Sequence, residues 1–201
     1  LGVRIRLSCL EETKDKGEVI LDKVEQSLMK TIGPYIYGKN NETLEDKVGQ
    51  LLKDKSMTLA TAESCTGGLI GHRLTQVSGC SKYFKEGFIV YSNEAKVSRL
   101  GVDQKILDSH GAVSEPIARL MAEGVCRAAG ADIGVSVTGI AGPTGGSEEK
   151  PVGLTFIAVS DAFGTWSGKY TYTHDRIKNK ERVAQTALNL VRMRLLGLLE
   201  E

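Results

Sequence analysis

The chain has 201 residues, which is enough for one well-buried domain and a smaller additional segment. Its 26 basic and 25 acidic side chains leave a net charge of +1. This balance argues against general nucleic-acid or membrane binding, because nonspecific phosphate binding needs a surplus of positive charge. No apolar run reaches membrane-spanning length, and no signal-peptide pattern opens the sequence. Composition therefore predicts a globular cytoplasmic protein with no membrane partner and no direct nucleic-acid partner.

Four cysteines are spread along the chain: Cys9, Cys65, Cys80 and Cys126. None are paired at Cys-x-x-Cys spacing, and no histidine lies near them in a zinc-like pattern. We therefore expect reduced thiols and no metal site.

The first 38 residues predict one strand and one helix. Apolar and polar residues alternate over positions 3–8, as in a strand with one solvated face. Apolar residues over positions 18–31 recur at helical spacing, and a Gly-Pro pair ends that helix. One strand and one helix bury too little surface to form a core. Since the first residue is Leu1 rather than Met, we interpret residues 1–38 as the remnant of an upstream region, or as an appendage docked on a main domain at residues 39–201.

The main domain alternates short apolar strands with amphipathic helices, which predicts an α/β fold, a layered α/β/α sandwich. Predicted helices lie at residues 43–54, 69–77, after Asn93, around 106, at 114–129 and at 177–199. The first predicted strand begins at residue 58 and ends before Ser64, and the others lie at 86–92, 132–138, 152–159 and 164–173. The strand at 132–138 is an unbroken apolar run typical of a buried central strand, and the last two strands form a hairpin. We therefore expect a mixed sheet with a short N-terminal strand–helix appendage.

The turn at residues 64–68, Ser-Cys-Thr-Gly-Gly, joins an apolar strand to a helix. This geometry exposes Ser64 or Cys65 at a strand end and directs the unpaired N–H groups of a helix N-terminus toward the same point. The turn is therefore a candidate nucleophile site. The alternatives are a ligand-binding turn without chemistry and a helix cap without function, because small hydroxyl residues are common caps.

Two residues in this turn are candidate nucleophiles. Cys65 is the more reactive atom at neutral pH, and a helix N-terminus would lower its pKa, but a cysteine mechanism usually needs a histidine base. The chain has three histidines, none placed convincingly for that role: His72, His110 and His174. Ser64 needs a base as well, and Lys96 could supply it if burial kept its amine neutral.

The segment at residues 91–96, Tyr-Ser-Asn-Glu-Ala-Lys, is a second candidate. It spans a strand-to-helix turn that could bring the phenol of Tyr91 and the amine of Lys96 to one strand end. The alternative is a buried tyrosine and a solvated lysine.

A third candidate is the glycine-rich loop at residues 139–147, which follows the predicted central strand. It has neither the lysine of a phosphate-binding loop nor the spacing of a dinucleotide fingerprint. Its small residues suggest close backbone approach to a ligand, and the alternative is a flexible loop. Arg176 at the start of the last helix could hold a phosphate or be solvated, whereas Lys180 and Arg182 are interpreted as solvated.

Together these stretches resemble one family. The motifs are Ala-Glu-Ser-Cys-Thr-Gly-Gly at 62–68, Tyr-Ser-Asn-Glu-Ala-Lys at 91–96, His-Gly-Ala-Val-Ser at 110–114, Val-Thr-Gly-Ile-Ala-Gly-Pro-Thr-Gly-Gly at 137–146 and Lys-Pro-Val-Gly at 150–153. They are similar to the CinA C-terminal family, whose stand-alone member is the nicotinamide-nucleotide amidase PncC. The resemblance covers about residues 43–199. Residues 1–38 look like the end of the region that precedes this domain in full-length CinA proteins, whose N-terminal domain resembles molybdopterin-binding domains.

The resemblance implies hydrolysis of the amide of nicotinamide mononucleotide to nicotinic acid mononucleotide and ammonia, with no metal or cofactor. Matched motif by motif, Ser64 becomes the nucleophile, and Lys96, directly or through Tyr91, its proton acceptor. The residues implied for oxyanion and substrate binding are Thr66, Gly67, Gly68, Asn93, Gly139, Ala141, Gly142, Gly145, Gly146 and Arg176. The family often has Gly-Asp-Arg where this chain has His174-Asp-Arg.

Two rival functions remain open from the sequence. The domain could be a non-catalytic nucleotide-binding or scaffold module in competence or DNA-damage responses, or a hydrolase that uses Cys65. The intact set of Ser64, Tyr91 and Lys96 favours the amidase, and we expect a homo-oligomer.

Overall fold

The computed structural model describes residues 2–199, and the chain divides into two units between Thr43 and Leu44. In the first unit, helix α1 (Lys14–Ile32) leads into a 3-10 turn (Gly33–Tyr35), which confirms the predicted helix. The side chain of Thr13 caps α1 by accepting a hydrogen bond from the N–H of Lys16.

The strand predicted at residues 3–8 is wrong. The described residues of the first unit contain no strand, and Val3 is 93% exposed. A strand needs a partner to pair its backbone N–H and C=O groups, and this unit supplies none. None of its described hydrophobic side chains is buried, as expected for a segment with so little regular structure.

The second unit is built on a five-stranded mixed sheet in the order β2-β1-β3-β4-β5. The strands are β1 (Leu59–Glu63), β2 (Phe84–Ile89), β3 (Ile133–Gly139), β4 (Leu154–Asp161) and β5 (Gly164–Thr171). β1 pairs in parallel with β2 and β3, whereas β3, β4 and β5 are antiparallel neighbours. The predicted mixed sheet, its central strand and its terminal hairpin are confirmed.

Helices cover the sheet in two groups, which confirms the layered α/β architecture. They are α2 (Leu44–Asp54), α3 (Leu69–Thr75), α4 (Asn93–Leu100), α5 (Gln104–His110), α6 (Glu115–Ala129) and α7 (Arg176–Leu195). α4 and α5 pack against α6, and α2 and α3 pack against α7. Among the described residues, no helix combines the length and the apolar character needed to cross a bilayer.

Element ends differ from the predictions at three positions. β2 ends at Ile89, two residues before Tyr91. α4 begins at Asn93, and its cap is Ser92, whose side chain accepts a hydrogen bond from the N–H of Ala95. Leu198, predicted to face inward, lies beyond the end of α7 and is 40% exposed.

Gly134 allows α6 to pack closely against β3. A Cβ atom there would overlap the carbonyl oxygen of Ala122 and lie 2.7 Å from Sγ of Cys126. We expect Gly134→Ala to lower the free energy of unfolding by about 1–3 kcal/mol, because helix and strand must separate to admit the methyl group. Urea denaturation of the variant and the parent measures this difference.

Gly71→Ala is the matched control, because Gly71 lies in helix α3 without a positive φ and the nearest atom to an added Cβ is 3.5 Å away, an ordinary contact. We expect no loss of stability for this variant, since alanine favours a helix over glycine. Equal denaturation midpoints for Gly134→Ala and the parent would contradict the close-packing interpretation.

Candidate active site

The candidate residues meet at one edge of the sheet. Because β1, β2 and β3 are parallel, the segments that follow them emerge at the same edge. Ser64 follows β1, and its N–H donates to the carbonyl of Val137 at 3.1 Å. Val90 follows β2, and its N–H donates to the carbonyl of Glu63 at 2.9 Å. The backbone hydrogen bonds of the sheet thus extend one residue past β1 and β2 and fix the start of each turn.

The amine of Lys96 lies beside the hydroxyl of Ser64. Lys96 is only 1% exposed, and its Nζ is 3.4 Å from Oγ of Ser64. The same Nζ donates to three backbone carbonyls in the turn that follows β2: Val90 at 3.0 Å, Tyr91 at 3.1 Å and Ser92 at 3.4 Å. The turn therefore wraps around the amine and points it at the hydroxyl.

Burial lowers the pKa of Lys96, because a low-dielectric environment disfavours the ammonium form. The negative charge of Glu94 acts in the opposite direction but is a smaller cause. A neutral amine has two N–H bonds and one lone pair, so it can donate to two of the surrounding carbonyls while its lone pair faces the Ser64 hydroxyl. This arrangement suits proton transfer from oxygen to nitrogen.

Cys65 lies next to Ser64 but in a different environment. Its thiol is buried, and desolvation raises its pKa to about 12. The sequence predicted the opposite shift on the grounds that a helix N-terminus stabilises a thiolate. That prediction fails because burial outweighs the neighbouring positive charges, among them Lys180 and Lys96. At neutral pH the thiol stays protonated and is a poor nucleophile.

The carboxylate of Glu63 caps helix α3, a feature the sequence did not indicate. Glu63 is 1% exposed, and it accepts hydrogen bonds from the N–H groups of Gly68 at 3.0 Å, Ile70 at 3.1 Å and Gly71 at 2.8 Å. A glutamate immediately before the turn was the available signal. The protein thus supplies its own anion to this helix N-terminus.

This cap corrects the predicted roles of Gly67 and Gly68. The N–H of Gly68 is bound to Glu63, and the N–H of Gly67 donates to the carbonyl of Ser64 at 3.1 Å. Neither is free for an oxyanion. The N–H of Thr66 has no hydrogen-bond acceptor within residues 2–199, and the Thr66 hydroxyl is buried there without a partner. Thr66 is fully buried, however, so none of Thr66, Gly67 and Gly68 presents a free N–H at the surface.

Tyr91 contributes its backbone carbonyl to the site, in a way the sequence did not predict. Its side chain is 62% exposed, and its phenol makes no hydrogen bond to any residue in the described range. The Lys96–Ser64 contact is direct and needs no phenol between the two groups. Asn93 is exposed at the first position of α4.

Most glycines of the 139–147 loop serve the packing of the chain itself. A Cβ atom at Gly139 would lie 2.6 Å from Oγ1 of Thr155, and one at Gly146 would lie 2.8 Å from the backbone nitrogen of Val152. Gly142 has φ +84°, which favours glycine, and its Cβ would lie 2.5 Å from Val152. Gly145, with φ +87° and its nearest neighbour at 3.7 Å, has the most open surroundings of the four.

The start of α7 holds this loop in place. Arg176 donates to the carbonyl of Gly142 at 2.8 Å, so one guanidinium nitrogen is already used by the protein. Asn179, 1% exposed, donates to the carbonyls of Ala141 at 3.1 Å and His174 at 2.8 Å. The sequence did not indicate Asn179. A polar residue on the otherwise apolar face of the predicted last helix was the feature that could have indicated Asn179.

The sequence interpretation of Lys180 as solvated is only partly right. It is half-buried, and its Nζ lies 3.7 Å from the position that a Cβ atom would occupy at Gly67. A cation from the last helix therefore approaches the turn that carries Ser64.

Comparison with known proteins supports the sequence resemblance. A family model described as the CinA C-terminal domain matches residues 41–195. The chain is 46% identical over 196 residues to a CinA-like protein of Chloroherpeton thalassium, covering 96% of this chain and 47% of that protein. It is also 46% identical over 196 residues to a CinA-like protein of Kosmotoga olearia, covering 98% of this chain and 48% of that protein. The chain thus spans about half the length of the curated relatives it matches.

Solved structures with the same fold are similar to most of the chain. The competence/damage inducible protein CihA from Agrobacterium tumefaciens has a TM-score of 0.74 and 38% identity, covering 76% of this chain and 93% of that one. The competence damage-inducible protein A (ComA) from Klebsiella pneumoniae has a TM-score of 0.75 and 31% identity, covering 78% of this chain and 97% of that one.

Replacing Glu63 by glutamine tests the cap of α3. We expect Glu63→Gln to lower the free energy of unfolding by about 1–3 kcal/mol, because the amide group places a donor where N–H groups of the helix need an acceptor. Glu86→Gln, at an exposed position of β2, is the control and should change stability by less than about 0.5 kcal/mol. Urea denaturation compares the two, and an equal effect of both variants would argue against the cap.

Proposed function

Because the chain belongs to the CinA C-terminal domain family, we propose that it is an amide hydrolase that converts nicotinamide mononucleotide to nicotinic acid mononucleotide and ammonia. The observation that carries this proposal is the buried amine of Lys96 at 3.4 Å from the hydroxyl of Ser64. Burial lowers the pKa of Lys96 and so favours the neutral amine, which can activate the neighbouring Ser64 hydroxyl as a nucleophile.

In the first half of the reaction, Oγ of Ser64 attacks the carboxamide carbon while Lys96 takes the hydroxyl proton. The resulting ammonium is surrounded by carbonyl oxygens at 3.0–3.4 Å, which stabilise its positive charge. Lys96 then returns the proton to the departing nitrogen, and ammonia leaves an acyl-enzyme.

In the second half, water attacks the ester carbonyl and gives a proton to Lys96. Collapse of the tetrahedral intermediate breaks the bond to Oγ of Ser64, which recovers its proton from the ammonium. The products are the nicotinic acid nucleotide and the free enzyme. The same two side chains therefore serve both half-reactions.

We place the phosphoribosyl group near the 139–147 loop and Arg176. One guanidinium N–H of Arg176 binds the carbonyl of Gly142, and a guanidinium has five N–H donors. Arg176 can therefore hold the loop and bind a phosphate at the same time. The open surroundings of Gly145 leave room on the outer part of the loop.

A second candidate function is a non-catalytic nucleotide-binding or scaffold module in competence or DNA-damage responses. The names of the similar Agrobacterium and Klebsiella proteins refer to competence and damage induction and do not mention an activity. A pure binding module has no need for a buried amine beside a hydroxyl, because burying an amine destabilises the fold. Ammonia release from nicotinamide mononucleotide separates the two functions.

Replacing the hydroxyl tests the nucleophile. We expect Ser64→Ala to reduce ammonia release by at least about 1000-fold, because no covalent intermediate can form. Binding of nicotinamide mononucleotide, measured by calorimetry, should survive. The matched control is Cys65→Ala at the neighbouring position, which should retain most activity since its thiol is protonated at neutral pH. If Cys65→Ala instead abolished ammonia release and Ser64→Ala did not, the thiol would be the nucleophile.

The pH dependence of the reaction tests Lys96 as the base. Burial lowers the pKa of Lys96, so the neutral amine is more abundant near neutral pH than in an exposed lysine, and acidification protonates it. We expect kcat/KM to fall as the pH is lowered toward 5, by up to about tenfold per pH unit below the operative pKa. Circular dichroism at each pH controls for unfolding. A rate that stays constant down to pH 5 would exclude Lys96 as the base.

A further inference from the structure

Two motifs of the sequence have no part in the proposed reaction: residues 110–114 and residues 150–153. They are far apart in the chain, and the structure joins them through Lys150. Its Nζ donates a hydrogen bond to the carbonyl of His110 at 2.9 Å and lies 3.2 Å from the position of a Cβ atom at Gly111. His110 is the last residue of α5, so the ammonium meets the negative end of that helix.

The segment at residues 110–114 is fixed to the same sheet edge as the nucleophile. Thr138, near the end of β3, donates through its hydroxyl to the carbonyl of Ala112 at 2.8 Å. The residue before it, Val137, accepts the N–H of Ser64. Consecutive residues of one strand therefore hold the nucleophile turn and the segment that Lys150 contacts.

Lys150 attaches the outer part of the glycine-rich loop to this segment. We define the outer loop as residues 143–149, all of which are exposed. The N–H of Ser147 donates to the carbonyl of Lys150 at 2.9 Å, and the N–H of Lys150 donates to Oγ of Ser147 at 3.0 Å. These two bonds close a turn, which the side chain of Lys150 then ties to His110.

The two ends of the outer loop are attached in different ways. Before it, the carbonyl of Ala141 accepts a hydrogen bond from Asn179, which is 1% exposed. After it, Lys150 is half-buried, so water competes for its ammonium. Gly145 and Gly146 lie between these points and give the backbone wide conformational freedom. The order of the outer loop should therefore depend on the Lys150 contact.

We propose that Lys150 is a positioning residue: by binding the carbonyl of His110, it holds the outer loop in the conformation that receives the phosphoribosyl part of the substrate. This inference rests on the proposed function. Ordering a flexible loop during binding costs conformational entropy, so a loop that is already held leaves more of the interaction energy for affinity. Lys150 acts through the loop and takes no part in proton transfer.

Steady-state kinetics test this role. We expect Lys150→Met to raise KM for nicotinamide mononucleotide about three- to tenfold, because the substrate must then order the loop itself. kcat should stay within about twofold, since the Ser64–Lys96 pair is unaffected. Lys150→Arg keeps a donor for the carbonyl and should restore most of the lost affinity. Lys105→Met is the matched control, because it removes the same charge from an exposed position of α5 and should leave both constants unchanged.

Hydrogen exchange of the free protein measures the loop without turnover. In Lys150→Met, the amides of the outer loop should exchange about three- to tenfold faster than in the parent protein. Lys150→Arg and Lys105→Met should match the parent.

A higher KM with unchanged exchange would overturn the inference, because Lys150 would then contact the substrate directly. An unchanged KM, with or without faster exchange, or a fall in kcat at constant KM would overturn it as well. If the parent protein releases no ammonia from nicotinamide mononucleotide, the proposed function fails, whereas the exchange comparison still decides whether Lys150 holds the outer loop.

Discussion

The desolvation of a single amine is the constraint on which the candidate site depends. Burying Lys96 is unfavourable for a charged group, so its surroundings must supply both the space and the hydrogen-bond acceptors. Carbonyls of the turn after β2 do this, and the Ser92 cap fixes the first turn of α4, from which Lys96 projects. The Ser64 hydroxyl is brought to the amine by β1, whose pairing with β3 extends to the N–H of Ser64. The end of β1, the turn after β2 and the first turn of α4 thus converge on one nitrogen atom.

Helix N-termini often bind the anion of a ligand, but the N-terminus of α3 is occupied by a carboxylate of the protein itself. Because the Glu63 carboxylate neutralises it, the helix cannot attract a substrate anion strongly. Three hydrogen bonds to this one buried carboxylate restrict the conformation of the turn at residues 64–68. Arg176 and Lys180 of α7 bring positive side chains to the glycine-rich loop and to the nucleophile turn, respectively.

Local periodicity was enough to predict most of the second unit. The apolar run at 132–138 indicated the central strand, and the two final strands indicated the antiparallel edge that makes the sheet mixed. The strand at residues 3–8 failed because alternation shows only that a strand could form, whereas pairing requires a partner. Site residues were predictable where they followed strands directly, as Ser64 does. Glu63, Asn179 and Lys180 were missed because their roles depend on burial and on contacts between separate elements, which a linear pattern does not contain.

Helix α7 connects the two halves of the site, although it comes last in the chain. Asn179 and Arg176 bind carbonyls of the glycine-rich loop, and Lys180 reaches the nucleophile turn from the same helix. The β4–β5 hairpin makes this possible, because an antiparallel return brings the chain back to the sheet edge where β1 and β3 end. A small shift of α7 would therefore move both loops relative to the Ser64–Lys96 pair. The glycine-rich loop and the nucleophile turn thus share one support, so loss of the Asn179 contacts should affect proposed substrate binding and turnover together.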